Sequence, residues 1–393
     1  MHFVRSAFFT TSVLAFSFAT PTFAAVDAQK FMDNLSTKLA LYGLNAKADS
    51  VESQGEDIVL KGLKVGPASG ADPITIAEVK LEGVTEKDRG YVVAQIAAPA
   101  AQYPVTEGTW DFGGAAVVNV SIPSPDANDP LGGLIWYDSI KMNPSKFSTS
   151  EGVEFIRLGS LEATNSPYSA DQLMKFSLKP FDVYINAVAA AKDDAANKEV
   201  MTSLGLAEIN AKIAAEGSWN PTDGKLTISE ESFDVQNAGK LNFKFDISGY
   251  TSELIKQVQE LNKQNAGKTD ASNGMAMMGL MQQLTLNSVS VRFDDASLTG
   301  KLLDLASQKM GQPKEAIINQ YKGMLPMMAA QLQDPEFVTM LSNAANAYLD
   351  NPKNIEIKVA PSAPVPFAQI MATGMAQPQA LIKTLGVQVI ANQ

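Results

Sequence analysis

The feature that most constrains the fold is a strict alternation of apolar and polar residues near the middle of the chain. Leu241, Phe243, Phe245 and Ile247 alternate with polar or charged neighbours. Successive side chains of a β-strand point to opposite faces, so this pattern predicts a strand with one face on a core and the other in water.

A second strand is predicted immediately before this one. Residues 220–224 read Asn-Pro-Thr-Asp-Gly, which is strong turn chemistry. The tripeptide Gly-Lys-Leu that closes this turn at 224–226 occurs again at 239–241. We therefore predict two consecutive antiparallel strands that are entered by similar turns.

Shorter stretches with a period of two occur along most of the chain, and turn residues separate many of them. Short strands punctuated in this way predict an antiparallel meander. The stretches lie at 58–65, 74–81, 91–96, 117–122, 135–142, 153–161, 176–186, 284–293, 355–359 and 387–390.

Helical patterns are found near the N-terminus, in an Ala-rich stretch near the middle, and in several segments after residue 250. Gly311 would end one helix, and Pro313 fits the first position of the next. A sheet with one apolar face must cover that face. We therefore predict an α+β fold, in which a curved antiparallel β-sheet (meander) has helices packed on one face, mainly from the C-terminal third. The predicted helices lie at 27–44, 187–206, 251–262, 297–310, 313–322 and 335–349.

The first residues have the three-part layout of a secretory signal peptide. His2 and Arg5 form a basic start, an apolar run follows from 7 to 19, and Pro21 precedes a cleavage site expected after Ala24. The run is too short to cross the roughly 30 Å hydrocarbon core as a helix. An uncleaved N-terminal anchor is the alternative. We expect a periplasmic protein without stable membrane insertion after cleavage.

Composition suggests how the exported chain is divided. The polar, glycine-containing stretch at 263–274 is the best candidate for a linker. We predict a signal peptide at 1–24, a β-rich domain with an N-terminal helix at 25–262, a linker and Met-rich segment at 263–283, and an α/β C-terminal region at 284–393. The last region is also compatible with packing as one unit with the β-rich domain.

Several kinds of chemistry are excluded by residues that the chain does not have. It contains no cysteine, and its one histidine, His2, leaves with the signal. A Ser-His-Asp triad, a cysteine nucleophile and a His-ligated zinc are then impossible in the processed chain. Neither Ser-x-x-Lys nor Gly-x-Ser-x-Gly occurs. We expect no catalytic residue, no metal site and no cofactor.

A pair of carboxylates for glycoside hydrolysis needs neither histidine nor cysteine. Asp126, Asp129 and Asp138 lie in or near one loop and keep a carboxylate-based hydrolase open as an alternative. The net charge of −11 becomes −12 when Arg5 is removed with the signal. Such a charge disfavours nucleic acid and anionic membrane surfaces as partners.

The methionines are unevenly distributed. Of 16, eleven fall between Met275 and Met375. Thioethers suit Cu(I), and unbranched Met side chains also form adaptable apolar surfaces for a ligand or partner. Ordinary helix packing is the third interpretation. The candidate binding residues are Met275, Met277, Met278, Met281, Met324, Met327 and Met328.

The C-terminal third also carries a resemblance to known proteins. The stretches at 286–295, 355–361, 364–367 and 385–389 together resemble uncharacterised exported proteins of alphaproteobacteria. More distantly, the β-repeats resemble YdgA-like and AsmA-like envelope proteins. This resemblance implies a Gram-negative periplasmic location and a role in envelope or lipid homeostasis. It carries over no catalytic residue, and the cleavable leader differs from the anchor of AsmA-like proteins.

These observations lead to one preferred hypothesis and two alternatives. The preferred one is a non-enzymatic, soluble periplasmic protein that binds a lipid or other apolar ligand. The first alternative is a structural or interaction protein of the cell envelope whose Met surface meets a protein partner. The second is the carboxylate-based hydrolase.

Overall fold

The computed structural model describes residues 26–68, 73–87, 90–105, 108–124, 133–167, 172–191, 194–264 and 271–393. The predicted signal peptide, and residues 265–270 of the predicted linker, lie outside the described residues. Side chains are also not described for 262–264, 271–275 and 328–330.

The protein is a single large, open antiparallel sheet with helices, as the α+β prediction requires. The strands are β1 (Leu44–Lys47), β2 (Ser50–Gln54), β3 (Asp57–Pro67), β4 (Ile74–Lys87), β5 (Gly90–Ala98), β6 (Ala101–Val105), β7 (Gly108–Phe112), β8 (Ala115–Ile122), β9 (Ser139–Met142), β10 (Ser145–Thr149), β11 (Glu154–Leu158), β12 (Leu161–Asn165), β13 (Met174–Asn186), β14 (Glu208–Trp219), β15 (Leu226–Val235), β16 (Gly239–Ser248), β17 (Thr285–Asp295), β18 (Asn354–Val359), β19 (Val365–Pro366) and β20 (Val387–Ala391).

The helices occur at the N-terminus, in the middle and, in greatest number, after β16. They are α1 (Ala28–Ala40), α2 (Ala187–Ala190), α3 (Ala195–Ser203), α4 (Ser252–Gln264), α5 (Ala271–Met281), α6 (Leu298–Met310), α7 (Lys314–Ala329), α8 (Pro335–Asp350), α9 (Phe367–Ala376) and α10 (Ala380–Thr384), with a 3₁₀ turn at Ala330–Leu332. The predicted end of α6 is confirmed, because Gly311 adopts the left-handed conformation.

Strand pairing follows the order of the chain. The predicted hairpin is confirmed, since β15 and β16 pair antiparallel from Leu226–Ile247 to Val235–Gly239. Strand β16 then pairs along its whole length with β17. The sheet therefore continues without interruption from one side of the predicted linker to the other.

A crease crosses the first half of the sheet. At four places a two-residue break separates consecutive strands: β5 from β6, β7 from β8, β9 from β10, and β11 from β12. At a fifth place β13 continues but bulges. The residues that form the crease are 99–100, 113–114, 143–144, 159–160 and 179–180. Pairing with the neighbouring strand resumes in the same register beyond the crease. Two consecutive strands that the crease separates, such as β5 and β6, therefore form one long bent strand.

Proline and glycine explain where the crease falls. Pro99, Pro144 and Pro180 cannot donate a backbone hydrogen bond to a neighbouring strand. A Cβ on Gly113 would lie 2.2 Å from the carbonyl oxygen of Pro144, so only glycine fits this close approach. Residues that break regular strands thus line up across the sheet and bend it along one line.

Candidate apolar binding face

One face of the sheet is apolar across almost its entire width. A row of directly paired residues crosses from β3 to β20, and neighbouring strands are about 4.8 Å apart, so the row is roughly 55–60 Å long. Its members, in order across the sheet, are Ile58, Leu81, Ile96, Val117, Ile140, Ala163, Leu178, Ala215, Glu231, Phe243, Val291, Ile357 and Val389. Glu231 is its one charged residue.

The crease preserves this face. Residues three apart in a regular strand point to opposite faces. In β13, however, two residues between Leu178 and Phe181 lie opposite a single residue of β14, so both apolar side chains stay on the same face. Leu158 of β11 and Leu161 of β12 are also three residues apart and lie on this same face, because both strands pair with β13.

The opposite face of the same strands is charged. Across β13 to β18, a row of paired residues alternates in sign before it ends in an amide: Asp182, Lys212, Asp234, Lys240, Asp294 and Asn354. Lys240 also binds Glu230 at 3.0 Å and lowers the pKa of that carboxyl group. The charged side chains of this face are favourably solvated, so any apolar partner must bind to the opposite, apolar face.

Helix α1 covers one end of the apolar face. Phe31 is fully buried against Ile58, Leu60 and Val93, and its ring meets the ring of Tyr91 edge-on at 5.0 Å. The sheet and helix therefore form a closed hydrophobic core at this end.

Helix α8 covers the other end. Phe337 and Ala344 pack against Val389, with Ile355 and Val387 beside them. A smaller cluster joins Ile255 of α4 to Met174 and Trp219 near the ends of β13 and β14.

Between these covers lies what we call the central strip. Among the described residues, none of the three clusters of fully buried apolar side chains has a fully buried member on β15, β16 or β17. The side chains of the central strip are all only half-buried, although they are as large as those of a core. The strip consists of Ile228, Phe233, Leu241, Phe243, Phe245, Val289, Val291 and Phe293.

The predicted methionine residues lie on helices α5 and α7. Met277 and Met281 of α5 are half-buried, whereas Met278 is 41% exposed. On α7, Met324 is 44% and Met327 77% exposed. The side chains of Met275 and Met328 are outside the described set.

The two methionine groups have different neighbours. Helix α5 packs against α4 and α9, and helix α7 packs against α6 and α8. The two groups therefore belong to different helix pairs, and their role in binding stays a prediction. Sequence reasoning missed the central strip as a site, although it recognised the alternation at Leu241–Ile247 that forms part of it.

Little chemistry is assembled among the described side chains. Asp138 accepts a hydrogen bond from Asn119 at 2.8 Å, whereas Asp126 and Asp129 lie outside the described residues. Within the described ranges, no three His, Cys, Asp or Glu side chains are placed to hold a metal ion. None of the described helices combines the length and the apolar character needed to cross a bilayer.

Comparison with known proteins adds one match. A family model described as an uncharacterized protein matches residues 232–392, about two fifths of the chain. The matched segment runs from the end of β15 to the end of β20 and includes most of the central strip. No curated protein matches the chain.

Proposed function

We propose that this protein binds the hydrocarbon part of a lipid, or a similarly apolar ligand, in the periplasm and acts without covalent chemistry. The observation that supports the proposal is the central strip, where large apolar side chains of β15, β16 and β17 are only half-buried between two helix-covered ends. Burial of such side chains stabilises a complex by about 25 cal/mol per Å² of apolar surface removed from water.

The backbone of the strip favours an acyl chain as its occupant. Strands β15, β16 and β17 use their peptide groups in pairing with each other and with β14 and β18. The strip therefore offers a ligand apolar contact and few hydrogen bonds, apart from the carboxylate of Glu231. A hydrocarbon chain suits such a surface, because it is stabilised by burial and has no polar atoms that require hydrogen bonds.

The test uses two neighbouring positions on one strand that face opposite sides. Phe243 lies in the central strip, and Lys244 lies on the charged face. We expect Phe243→Glu to abolish binding of a fluorescent fatty acid by the processed chain, since it places a charge on the apolar strip. Lys244→Glu should bind as the wild type does.

Native mass spectrometry of protein purified from the periplasm provides a second measurement. We expect co-purifying lipid on the wild type and on Lys244→Glu, and its loss from Phe243→Glu. Equal binding by the two variants, with both of them folded by circular dichroism, would contradict the proposal. So would a wild-type chain that carries no lipid and takes up no fatty acid.

A further inference from the structure

The last strand of the sheet leaves one edge unpaired. Strand β20 pairs with β18, and no other described strand pairs with it. The N–H of Asn392 donates to the carbonyl oxygen of Asn354 at 2.9 Å, which sets the alternation of hydrogen bonds along β20. The peptide groups of Val387, Val389 and Ala391 consequently point away from β18 and form the free edge.

The sequence of this edge strand lacks the devices that usually prevent strands from pairing with other chains. Charges, prolines and bulges commonly blunt exposed sheet edges. The opposite edge of the sheet, along β1 and β2, carries Lys47, Asp49 and Glu52. Strand β20 has no charged residue and no proline, and it pairs with β18 in an unbroken register.

Space is available beside the free edge. A groove of about 680 Å³ lies between α8 and the end of β20. On the helix side it is lined by Glu336, Thr339, Met340, Asn343, Ala344 and Ala347, and on the strand side Val389 and Ala391 contribute apolar surface. An added strand would extend the sheet along this groove.

We propose that the occupant is β20 of a second copy of this chain, paired antiparallel about a two-fold axis at Val389. In that register Val387 lies opposite Ala391 of the second copy, and the apolar faces of the two sheets are on the same side. About six new backbone hydrogen bonds would form, two for each of three pairs whose peptide groups face the interface.

Self-complementarity favours a second copy over an unrelated strand. The residues that flank Val389 on the apolar face are small or β-branched, and those on the opposite face, Gln388 and Ile390, bring no charge into the interface. This inference does not depend on the proposed ligand, since the free edge lies beyond the central strip and beneath the flank of α8.

The absence of cysteine allows a test of both the interface and its register. With Val389 on the two-fold axis, Val389→Cys brings two thiols together, at a Cα separation of about 5.5 Å that suits a disulfide. In Val387→Cys the thiols lie two residues on either side of the axis and are too far apart. We expect oxidation to link Val389→Cys into a covalent dimer and to leave Val387→Cys unlinked on a non-reducing gel.

Sedimentation velocity of the wild-type processed chain should show a concentration-dependent dimer. A wild-type chain that is monomeric at every concentration overturns the proposal. A dimer in which Val387→Cys links as well as Val389→Cys, or in its place, overturns the register and with it the two-fold pairing.

Two double variants on the charged face keep the test decisive, because Val389 packs under α8 and its replacement could impair folding. Residue 388 lies opposite residue 390 of the second copy in the proposed register. Gln388→Lys with Ile390→Lys opposes like charges twice, whereas Gln388→Glu with Ile390→Lys opposes unlike charges. We expect the first pair to weaken dimerisation roughly tenfold relative to the second. Equal dimerisation by the two variants would refute the pairing.

Discussion

The two regions of the sheet that differ most are the end beneath α1 and the central strip. Both present a continuous apolar face of the same kind, with aliphatic or aromatic residues directly paired across neighbouring strands. Beneath α1, Ile58, Leu60 and Val93 are completely buried. In the central strip, Leu241 and Phe243 are only half-buried.

The difference shows that alternation in a strand produces an apolar face but does not decide whether that face becomes a core. A covering element decides it, because a sheet buries only what another layer removes from water. Where α1 or α8 packs, the apolar face stabilises the fold. In the central strip the same kind of face is only half-buried, and this difference is the basis of the proposed binding site.

The largest expected effect separates these two regions directly. Phe31→Ala removes a fully buried ring from beneath α1 and should lower the free energy of unfolding by about 3–5 kcal/mol. Phe243→Ala removes a ring of the same size that is only half-buried and should cost less. Urea unfolding followed by fluorescence measures both. Equal losses would mean that the central strip is a core and not an open surface.

A smaller effect is expected where α8 begins. The buried carboxylate of Asp334 accepts a hydrogen bond from the N–H of Phe337 at 3.1 Å and caps the helix. Asp334→Ala should cost about 1–2 kcal/mol. Because α8 packs on β20, it should also raise amide hydrogen exchange in that strand.

Two control variants test whether the effect of Asp334→Ala comes from loss of the helix cap. Asp334→Asn keeps the cap acceptor and should retain most of the stability. Asp27 caps α1 in an exposed position, accepting from the N–H of Lys30 at 3.0 Å, so Asp27→Ala should cost less than Asp334→Ala. Faster exchange in β20 for Asp27→Ala as well would show that the two covers are not independent.

The smallest effect concerns the one charge in the apolar row. Glu231 lies between Ala215 and Phe243, and Glu231→Leu should stabilise the sheet by about 0.2–1 kcal/mol by completing the apolar pairs. It should also tighten binding of a fluorescent fatty acid. Glu230→Leu is the control on the charged face, where it loses the contact with Lys240. Weaker fatty-acid binding by Glu231→Leu would mean that the carboxylate takes part in recognition.

Local patterns in the sequence predicted many of the elements. The repeated Gly-Lys-Leu correctly placed β15 beside β16, because turn residues and alternation act within a few positions of each other. The helix that ends before Gly311 was predicted for the same reason. By contrast, the strand predicted at 135–142 is shorter in the structure, where it begins at Ser139, and Trp136 forms only an isolated bridge with Ser121.

The apolar row could not be predicted in the same way. At the crease, two irregular residues separate Leu158 from Leu161, so counting by twos would place these side chains on opposite faces. Only the pairing of both strands with β13, whose bulge keeps Leu178 and Phe181 on one face, shows that they share one. The methionines that composition singled out lie on helices with different neighbours, and composition contains no information about which helix packs where.

What the sequence by itself determined is local: strands where apolar residues alternate, turns where glycine and proline break them, caps where helices end, and the absence of cysteine and of any histidine after His2. The tertiary structure decided which apolar surface is buried. Burial depends on contacts between residues far apart in the chain, such as Phe31 with Val93 or Phe337 with Val389. The free energy of such contacts exists only once the sheet and its covering helices have come together.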